Sequence, residues 1–217
     1  MADSSMKIAI VDYGRGNLHS VHSGVQKAME LSQVQGRVEL TSDPDVILAA
    51  DKVVFPGVGA MGDCYQQLLK SGLEPAVRQA FAEKPFLGIC VGMQVLFDSG
   101  EENGGSDGLG LVPGNVVRFP EKPGLKVPHM GWNQVFHQSH PLFAGIPDGA
   151  RFYFVHSYKV QPAFPEDVQI ATCDYDGHFP VAIAGRNWLA TQFHPEKSHQ
   201  WGLKLLSNFI QWQPLDV

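Results

Sequence analysis

The sequence predicts an α/β fold: a mostly parallel central sheet with helices on both faces and additional antiparallel strands. Two observations predict it. In the first hundred residues, short apolar runs alternate with stretches of helical periodicity, which is typical of parallel strands joined by helices. After a glycine-rich segment at 101–114, short strand-like segments follow one another without intervening helical patterns. That second pattern favours antiparallel strands added to the parallel core.

The predicted parallel part begins with an apolar strand at 7–12 and a helix at 17–30, with Asn17 at its N-cap. Further strands are expected at 38–40, 52–55 and 85–89, and further helices at 60–69, 74–83 and 91–98. Ligands bind beyond the carboxyl ends of such strands. We therefore expect the segments around Asn17, Gly57, Cys90 and His194 to meet at one edge of the sheet.

The second part contains the strand-like segments and a closing helix. The strands are expected at 115–119, 151–155, 169–173, 181–185 and 189–193, and the helix at 199–212. The chain contains no internal repeat, low-complexity tract or linker-like segment. The sequence therefore predicts a single domain over 6–217, preceded by a short N-terminal extension at 1–5.

Composition narrows the class of protein. The chain has 217 residues, of which 44% are hydrophobic and 18% charged, as in ordinary globular proteins. A net charge of −6 without a basic cluster argues against nucleic-acid binding. Three widely spaced cysteines fit a reducing compartment, and the N-terminus lacks the apolar core of a signal peptide. No run of 18 apolar residues occurs, so we expect no membrane span and a cytoplasmic location.

Cys90 is the strongest candidate for a functional residue. It stands between Gly88 and Gly92, where an apolar run changes to a helical pattern. A cysteine at a helix N-terminus is favoured as thiolate, and glycines allow the close backbone approach that a nucleophile on a tight turn needs. His194 and Glu196 follow another apolar run. A thiol, an imidazole and an orienting carboxylate are the parts of a nucleophilic acyl-transfer site.

Other motifs carry weaker signals. The turn Pro56-Gly57-Val58-Gly59 is either a simple strand ending or a source of N–H groups for an oxyanion, together with the N–H of Val91. The nine histidines show no metal-ligand spacing, so we expect no metal. The glycines around Arg15 lack the full dinucleotide pattern, and we expect no cofactor.

The segment Gly88-Ile89-Cys90-Val91-Gly92-Met93-Gln94 together with His194-Pro195-Glu196 resembles the class I (triad-type) glutamine amidotransferases, which have a flavodoxin-like three-layer fold. Further segments resemble the branch of that family that forms glutaminase subunits of imidazole glycerol phosphate synthases in histidine biosynthesis. They lie at 12–18, 55–59, 128–133, 153–158 and 194–198.

The resemblance implies a reaction and a set of site residues. Cys90 would attack the side-chain amide of glutamine, release ammonia and form a thioester that water hydrolyses, with His194 as base and then acid and Glu196 orienting it. The oxyanion would be held at Gly57, Val58, Gly59 and Val91. Glutamine would be contacted by Gln94, Ser157 and Tyr158.

The resemblance also implies a partner. A separate cyclase, which is a (β/α)₈ barrel, would form a heterodimer with this chain and receive the ammonia through a channel to make imidazole glycerol phosphate and AICAR. Asn17, Trp132, Tyr153 and Lys197 match positions that face this partner, although Trp132 is equally compatible with a core position and Lys197 with a solvated charge. Two alternatives remain open: a glutaminase subunit of another synthase, and a non-catalytic binding module on the same fold.

Overall fold

The computed structural model describes residues 5–163 and 168–214. In chain order, the strands are β1 (Met6–Val11), β2 (Gly36–Thr41), β3 (Lys52–Gly57), β4 (Phe86–Cys90), β5 (Phe97–Gly100), β6 (Ser106–Asp107), β7 (Val112–Arg118), β8 (His129–His137), β9 (Ala150–His156), β10 (Tyr158–Pro162), β11 (Gln169–Asp174), β12 (His178–Ala184) and β13 (Trp188–Thr191). The helices are α1 (Leu18–Leu31), α2 (Pro44–Ala49), α3 (Met61–Ser71), α4 (Glu74–Glu83), α5 (Val91–Gln94) and α6 (His199–Gln211).

Within the described residues, nine strands form one mixed sheet in the order β2-β1-β3-β4-β13-β12-β11-β8-β9. The strands from β2 to β13 are parallel, and the strands from β13 to β9 pair antiparallel. A smaller sheet has the order β10-β7-β5-β6. The predicted α/β class with a mainly parallel core and antiparallel additions is thus confirmed.

Helices cover both faces of the parallel half. The chain moves from β1 to β2 in one direction along the sheet and from β2 through β3 to β4 in the other. Because such crossovers are right-handed, α1 lies on one face, and α2, α3 and α4 lie on the opposite face. Helix α6 packs against α1, and α2 packs against α4. The sheet between these layers is apolar, and every residue of β3 and β4 is buried.

The antiparallel half has an open face along β8. Along β8 the exposed side chains alternate with more buried ones, which is the period-2 pattern of a sheet with one open face. Ser157 separates β9, the edge of the large sheet, from β10, the edge of the small one. The small sheet therefore joins the large one at the segment that was expected to bind glutamine.

Two expectations about the elements are wrong, and a third is right for one neighbour only. The helix expected at 91–98 ends at Gln94, because the carbonyls of Val95, Leu96 and Phe97 accept N–H groups from 109–112 and the chain enters β5. The strand at the 189–193 segment is antiparallel to β12, as expected, but parallel to β4, so it joins the two parts of the sheet. The strand at 115–119 belongs to the separate small sheet.

Candidate active site

Cys90 is the last residue of β4 and is held in a strained backbone conformation. Its φ is +56° and its ψ is −112°, a region that non-glycine residues occupy only when their surroundings enforce it. The turn is possible because Gly92 has no side chain: a Cβ there would lie 2.0 Å from the carbonyl oxygen of Phe55. At Gly57, a Cβ would lie 2.7 Å from the nitrogen of Gly92. The glycines thus let β3 approach the turn that presents the thiol.

His194 and Glu196 form the pair that the sequence predicted. His194 Nδ1 lies 2.8 Å from Glu196 Oε1, and both side chains are buried. This contact leaves Nε2 as the ring nitrogen available for other chemistry. Nε2 is buried and has no hydrogen-bond partner among the described atoms, and the same is true of Glu196 Oε2. A buried, unpartnered ring nitrogen beside a thiol is suited to proton transfer with a bound molecule.

Backbone contacts hold the His194 segment in place. The N–H of His194 donates to the carbonyl of Tyr153 (3.0 Å) on the edge strand β9. The hydroxyl of Ser198 accepts from the N–H of Tyr153 (3.0 Å) and donates to the carbonyl of His194 (2.6 Å). On the other side, α1 packs closely, since a Cβ at Gly24 would lie 3.0 Å from the Cβ of Glu196. The imidazole is therefore positioned by both halves of the molecule.

The charge state of His194 depends on its neighbours. Burial lowers the pKa of the ring, but the Cys90 sulfur and then Glu196 raise it by more, and the pKa reaches about 10. The ring therefore carries a proton at neutral pH when Cys90 is ionised. A thiolate–imidazolium pair is the form in which cysteine nucleophiles act.

A cavity of about 470 Å³ connects these groups. Eight of the predicted site residues line it: Val58, Gly59, Cys90, Val91, Gln94, Ser157, Tyr158 and His194. Lys197, which was expected at a partner interface, lines it as well. Glu196 stands behind His194 rather than in the wall, and Gly57 contacts the backbone at Gly92.

The turn after β3 forms the cavity wall opposite His194. The Tyr13 hydroxyl donates to the carbonyl of Pro56 (2.9 Å), and the Cys64 thiol donates to the carbonyl of Val58 (3.3 Å). Gly59 has a φ of +93° and open space around it. Val91 begins α5, and the first N–H groups of a helix have no intrahelical acceptor. The N–H of Val91 is thus available to an anion at Cys90.

Three side chains at the candidate site were not identified from the sequence. Gln192 is fully buried, and its Nε2 lies 3.8 Å from Cys90 Sγ. Glu102 and His156 line the cavity. Gln192 stands two residues before His194, so its place in the same block was a usable signal. Glu102 lies in the glycine-rich segment, which shows no periodicity, so the sequence contained no signal that marked it.

The exposed face of β8 and β9 contains two of the predicted interface residues. Trp132 is 41% exposed, stacks on His199 with ring centroids 4.9 Å apart, and pairs with Tyr153 of β9. Lys197 Nζ lies 5.9 Å from the centroid of the Tyr153 ring. Met130, 63% exposed, extends this surface toward the cavity. The core alternative for Trp132 is wrong. Asn17 lies at the N-cap of α1, where its side chain makes no capping bond.

Metal clusters and membrane-spanning helices are both absent from the described part of the chain. No group of three or more His, Cys, Asp or Glu side chains is arranged to hold a metal ion among residues 5–163 and 168–214. Over the same residues, no helix combines the length and apolar character needed to cross a membrane.

Comparisons with known proteins show which family this chain is similar to. A family model described as glutamine amidotransferase class-I matches residues 9–212. A protein of Methylococcus capsulatus named imidazole glycerol phosphate synthase subunit HisH is 55% identical over 216 residues, with 95% of this chain and 97% of the relative covered. A protein of the same name from Acinetobacter baylyi is 53% identical over 208 residues, with 95% and 98% covered.

Solved structures share the fold at lower identity. A putative GMP synthase subunit from Thermoplasma acidophilum has a TM-score of 0.65 and 23% identity, and the match covers 95% of this chain and 93% of the other. A glutamine amidotransferase from Thermotoga maritima has a TM-score of 0.57 and 16% identity, with 95% and 83% covered.

Proposed function

This chain belongs to the class-I glutamine amidotransferase family, and we propose that it is the glutaminase subunit of an imidazole glycerol phosphate synthase in histidine biosynthesis. The observation that supports the reaction most directly is the arrangement of one cavity. It brings Cys90, on a strained turn, to the buried pair of His194 and Glu196. This is the constellation of a cysteine nucleophile, a base and an orienting carboxylate.

The proposed reaction has two halves. The Cys90 thiolate attacks the side-chain carbonyl carbon of glutamine, and the imidazolium of His194 gives its proton to the departing nitrogen, so that the C–N bond breaks and ammonia leaves. A glutamyl thioester remains. His194 then takes a proton from water, the resulting hydroxide adds to the thioester, and glutamate leaves as the thiolate forms again. Glu196 holds the imidazole in the orientation that both steps need.

Substrate contacts follow from the charges of glutamine. The developing oxyanion lies nearest the N–H groups of Val91 and of the turn at Val58 and Gly59, which face the same cavity. The α-ammonium group requires an anionic partner, and Glu102 supplies a carboxylate in the wall. Ser157 and Tyr158 hold the amino-acid end from the segment where the two sheets meet.

The exposed face of β8 and β9 is the proposed docking site for the cyclase, which is a (β/α)₈ barrel. Met130, Trp132, Tyr153 and Lys197 form an apolar and aromatic patch with one cation beside the cavity, which is the composition of interface hot spots. In water at neutral pH, ammonia becomes ammonium, which is not nucleophilic. A heterodimer that covers the cavity would deliver ammonia unprotonated.

The test uses this chain together with its co-purifying synthase partner. Cys90→Ala is expected to abolish the glutamine-dependent synthase reaction while added ammonium salts still support it. Cys173→Ala, at a buried free thiol on β11 that does not line the cavity, is the matched control and should keep glutamine-dependent activity. Loss of the ammonia-supported reaction in Cys90→Ala would contradict the proposal.

The same experiment separates the alternatives. A glutaminase subunit of another synthase would co-purify with a partner other than the cyclase. A non-catalytic binding module would release no glutamate from glutamine even with partner and acceptor substrate at saturation. The intact and mutually contacting His194 and Glu196 disfavour that module, because a binding role does not need a buried imidazole–carboxylate pair.

A further inference from the structure

Gln192 is a buried polar side chain in direct contact with the sulfur of Cys90. It is 0% exposed, and its two amide atoms have different partners. Oε1 accepts a hydrogen bond from Gln94 Nε2 at 3.0 Å, and Nε2 lies 3.8 Å from Cys90 Sγ. A buried amide is stable only when both ends are satisfied. The direction of this amide therefore decides whether the sulfur meets a donor or an acceptor.

The carbonyl of Tyr158 determines that direction. A carbonyl oxygen only accepts hydrogen bonds, so the Gln94 atom that faces it at 3.4 Å is the amide nitrogen. The same Gln94 nitrogen contacts Gln192, so the Gln192 atom there is the oxygen. The Gln192 nitrogen is consequently the atom that faces Cys90. Reversing either amide would place two acceptors or two donors against each other.

The same carbonyl is also held by a pair of buried histidines, of which His156 contacts it directly. His156 Nδ1 lies 2.7 Å from the Tyr158 oxygen and must carry the proton. His156 Nε2 then accepts from His129 Nδ1 at 2.9 Å, and His129 Nε2 accepts from the side-chain amide of Asn133 at 3.2 Å. Asn133 is oriented in turn, because its amide also donates to the carbonyl of Asp174. Each bond has one donor and one acceptor in a single consistent direction.

Burial keeps this hydrogen-bond chain uncharged. It lowers the pKa of His129 to about 4 and that of His156 to about 3, so both rings are neutral at neutral pH. A neutral ring can accept at one nitrogen and donate at the other, whereas a protonated ring can only donate. The hydrogen-bond chain from Asn133 to Tyr158 is therefore intact under ordinary conditions.

We propose that Gln192 donates a hydrogen bond to the Cys90 sulfur and thereby favours the thiolate, and that His129 and His156 are positioning residues that hold in place the Tyr158 carbonyl on which the direction of its amide depends. A hydrogen bond to the charged form of a group favours that form. The inference rests on the proposed function only in taking Cys90 as the nucleophile.

The pH dependence of Cys90 alkylation by iodoacetamide tests the first part. The rate is followed by mass spectrometry of the peptide that contains Cys90. Gln192→Glu keeps an acceptor for Gln94 but places a carboxylate oxygen against the sulfur, so the midpoint is expected about one pH unit or more higher. The rate near neutral pH should fall about tenfold. Gln192→Met, which lacks a donor, should shift the midpoint in the same direction by less.

Gln66→Glu on the exposed surface of α3 is the matched control and should leave the midpoint where it is in the unsubstituted protein. Unchanged midpoints in both Gln192 variants, with thermal unfolding that shows them folded, would overturn the inference. Alkylation needs neither glutamine nor a partner. A clear shift in the Gln192 variants, when the unsubstituted protein releases no glutamate even with its synthase partner and acceptor substrate at saturation, would therefore contradict the proposed function and leave this inference standing.

The second part is tested on the unsubstituted protein, so it does not depend on any variant folding. Nitrogen-15 NMR of labelled histidine distinguishes the two neutral tautomers. His129 and His156 are both expected to carry the proton on Nδ1 at neutral pH. A proton on Nε2 of His156 would contradict the direction deduced for the hydrogen-bond chain and overturn the assignment.

Discussion

The parallel and antiparallel halves of the large sheet position their functional groups by different means. In the parallel half, Cys90 is placed by backbone sterics: a positive φ at the end of β4 and glycines that leave no room for a Cβ. In the antiparallel half, His129 and His156 are placed by a hydrogen bond between neighbouring strands, and His156 also contacts the Tyr158 carbonyl at the start of the small sheet. The position of the Cys90 thiol is thus set by steric exclusion, and the position of the His156 side of the cavity is set by hydrogen bonds.

The difference follows from what each half is packed against. Parallel strands covered by helices on both faces are apolar throughout, as β3 and β4 are, so their polar chemistry is confined to strand ends. The antiparallel strands have an open face, and their inner face includes the polar pair of His129 and His156 inside a cluster of aromatic rings. Strand β13 lies between the halves, and His194 follows it.

Gly92→Ala should have the largest effect, because it adds a Cβ at a position in the parallel half that has no space for one. The new Cβ would lie 2.0 Å from the carbonyl oxygen of Phe55 in a strand with no room to move. We expect a loss of about 3 kcal/mol or more in the free energy of unfolding, measured by urea denaturation. Gly72→Ala, with open space around its Cβ and a φ of +74°, is the control and should lose about 1 kcal/mol. Equal losses would refute the steric account.

Glu196→Gln tests the contact between His194 and Glu196, which follows the strand between the two halves. The quantity compared is the pH dependence of the free energy of unfolding. The pKa of His194 is about 10 in the folded protein against about 6.5 in the unfolded chain. At a fixed charge on Cys90, the folded His194 ring therefore holds a proton that the unfolded ring releases in this window. The stability it contributes is complete below pH 6.5 and is lost as the pH rises toward 10, by up to about 1.4 kcal/mol per pH unit.

Removing the charge of Glu196 should lower the pKa of His194, so the fall in unfolding free energy from pH 7 to pH 9 should be smaller in the variant. Lys52, whose pKa burial lowers to about 8, contributes with the opposite sign but equally to both proteins. Glu30→Gln, at an exposed ion pair with Lys27, should retain the steep dependence. A steep dependence in Glu196→Gln as well would show that the carboxylate does not hold the proton on His194.

His129→Phe should have a smaller effect, because it removes two hydrogen bonds, to His156 and from Asn133, without removing the packing of the ring. The ring of His129 stacks on Tyr175 with centroids 3.9 Å apart and on Phe154 at 4.7 Å, and phenylalanine can occupy that space. His156 Nε2 would lose its donor while still buried, at a cost of about 1–2 kcal/mol in unfolding free energy. Chemical denaturation measures it. His178→Phe, at an exposed position on β12, should change stability by less than about 0.5 kcal/mol.

The sequence-based predictions succeeded where the signal lies in neighbouring residues and failed where it depends on residues distant in the chain. The catalytic candidates were identifiable because each is marked locally: Gly88 and Gly92 flank Cys90, and only Pro195 separates His194 from Glu196. The helix expected beyond Gln94 was wrong because its carbonyls are taken by a loop about fifteen residues away. Periodicity within 91–98 contains no information about that competing partner.

The sequence by itself determined the α/β class and the parallel core and marked Cys90, His194 and Glu196 as the candidate site, since apolar period, glycine sterics and short spacings all act between near neighbours. Only the tertiary structure decided that Gln192 meets the Cys90 sulfur with its nitrogen, and that two buried histidines hold the carbonyl that requires this. The partners in those bonds are separated by 27 to 102 residues where they link different strands. Hydrogen-bond direction becomes definite only when the acceptors and donors are packed together and water is excluded.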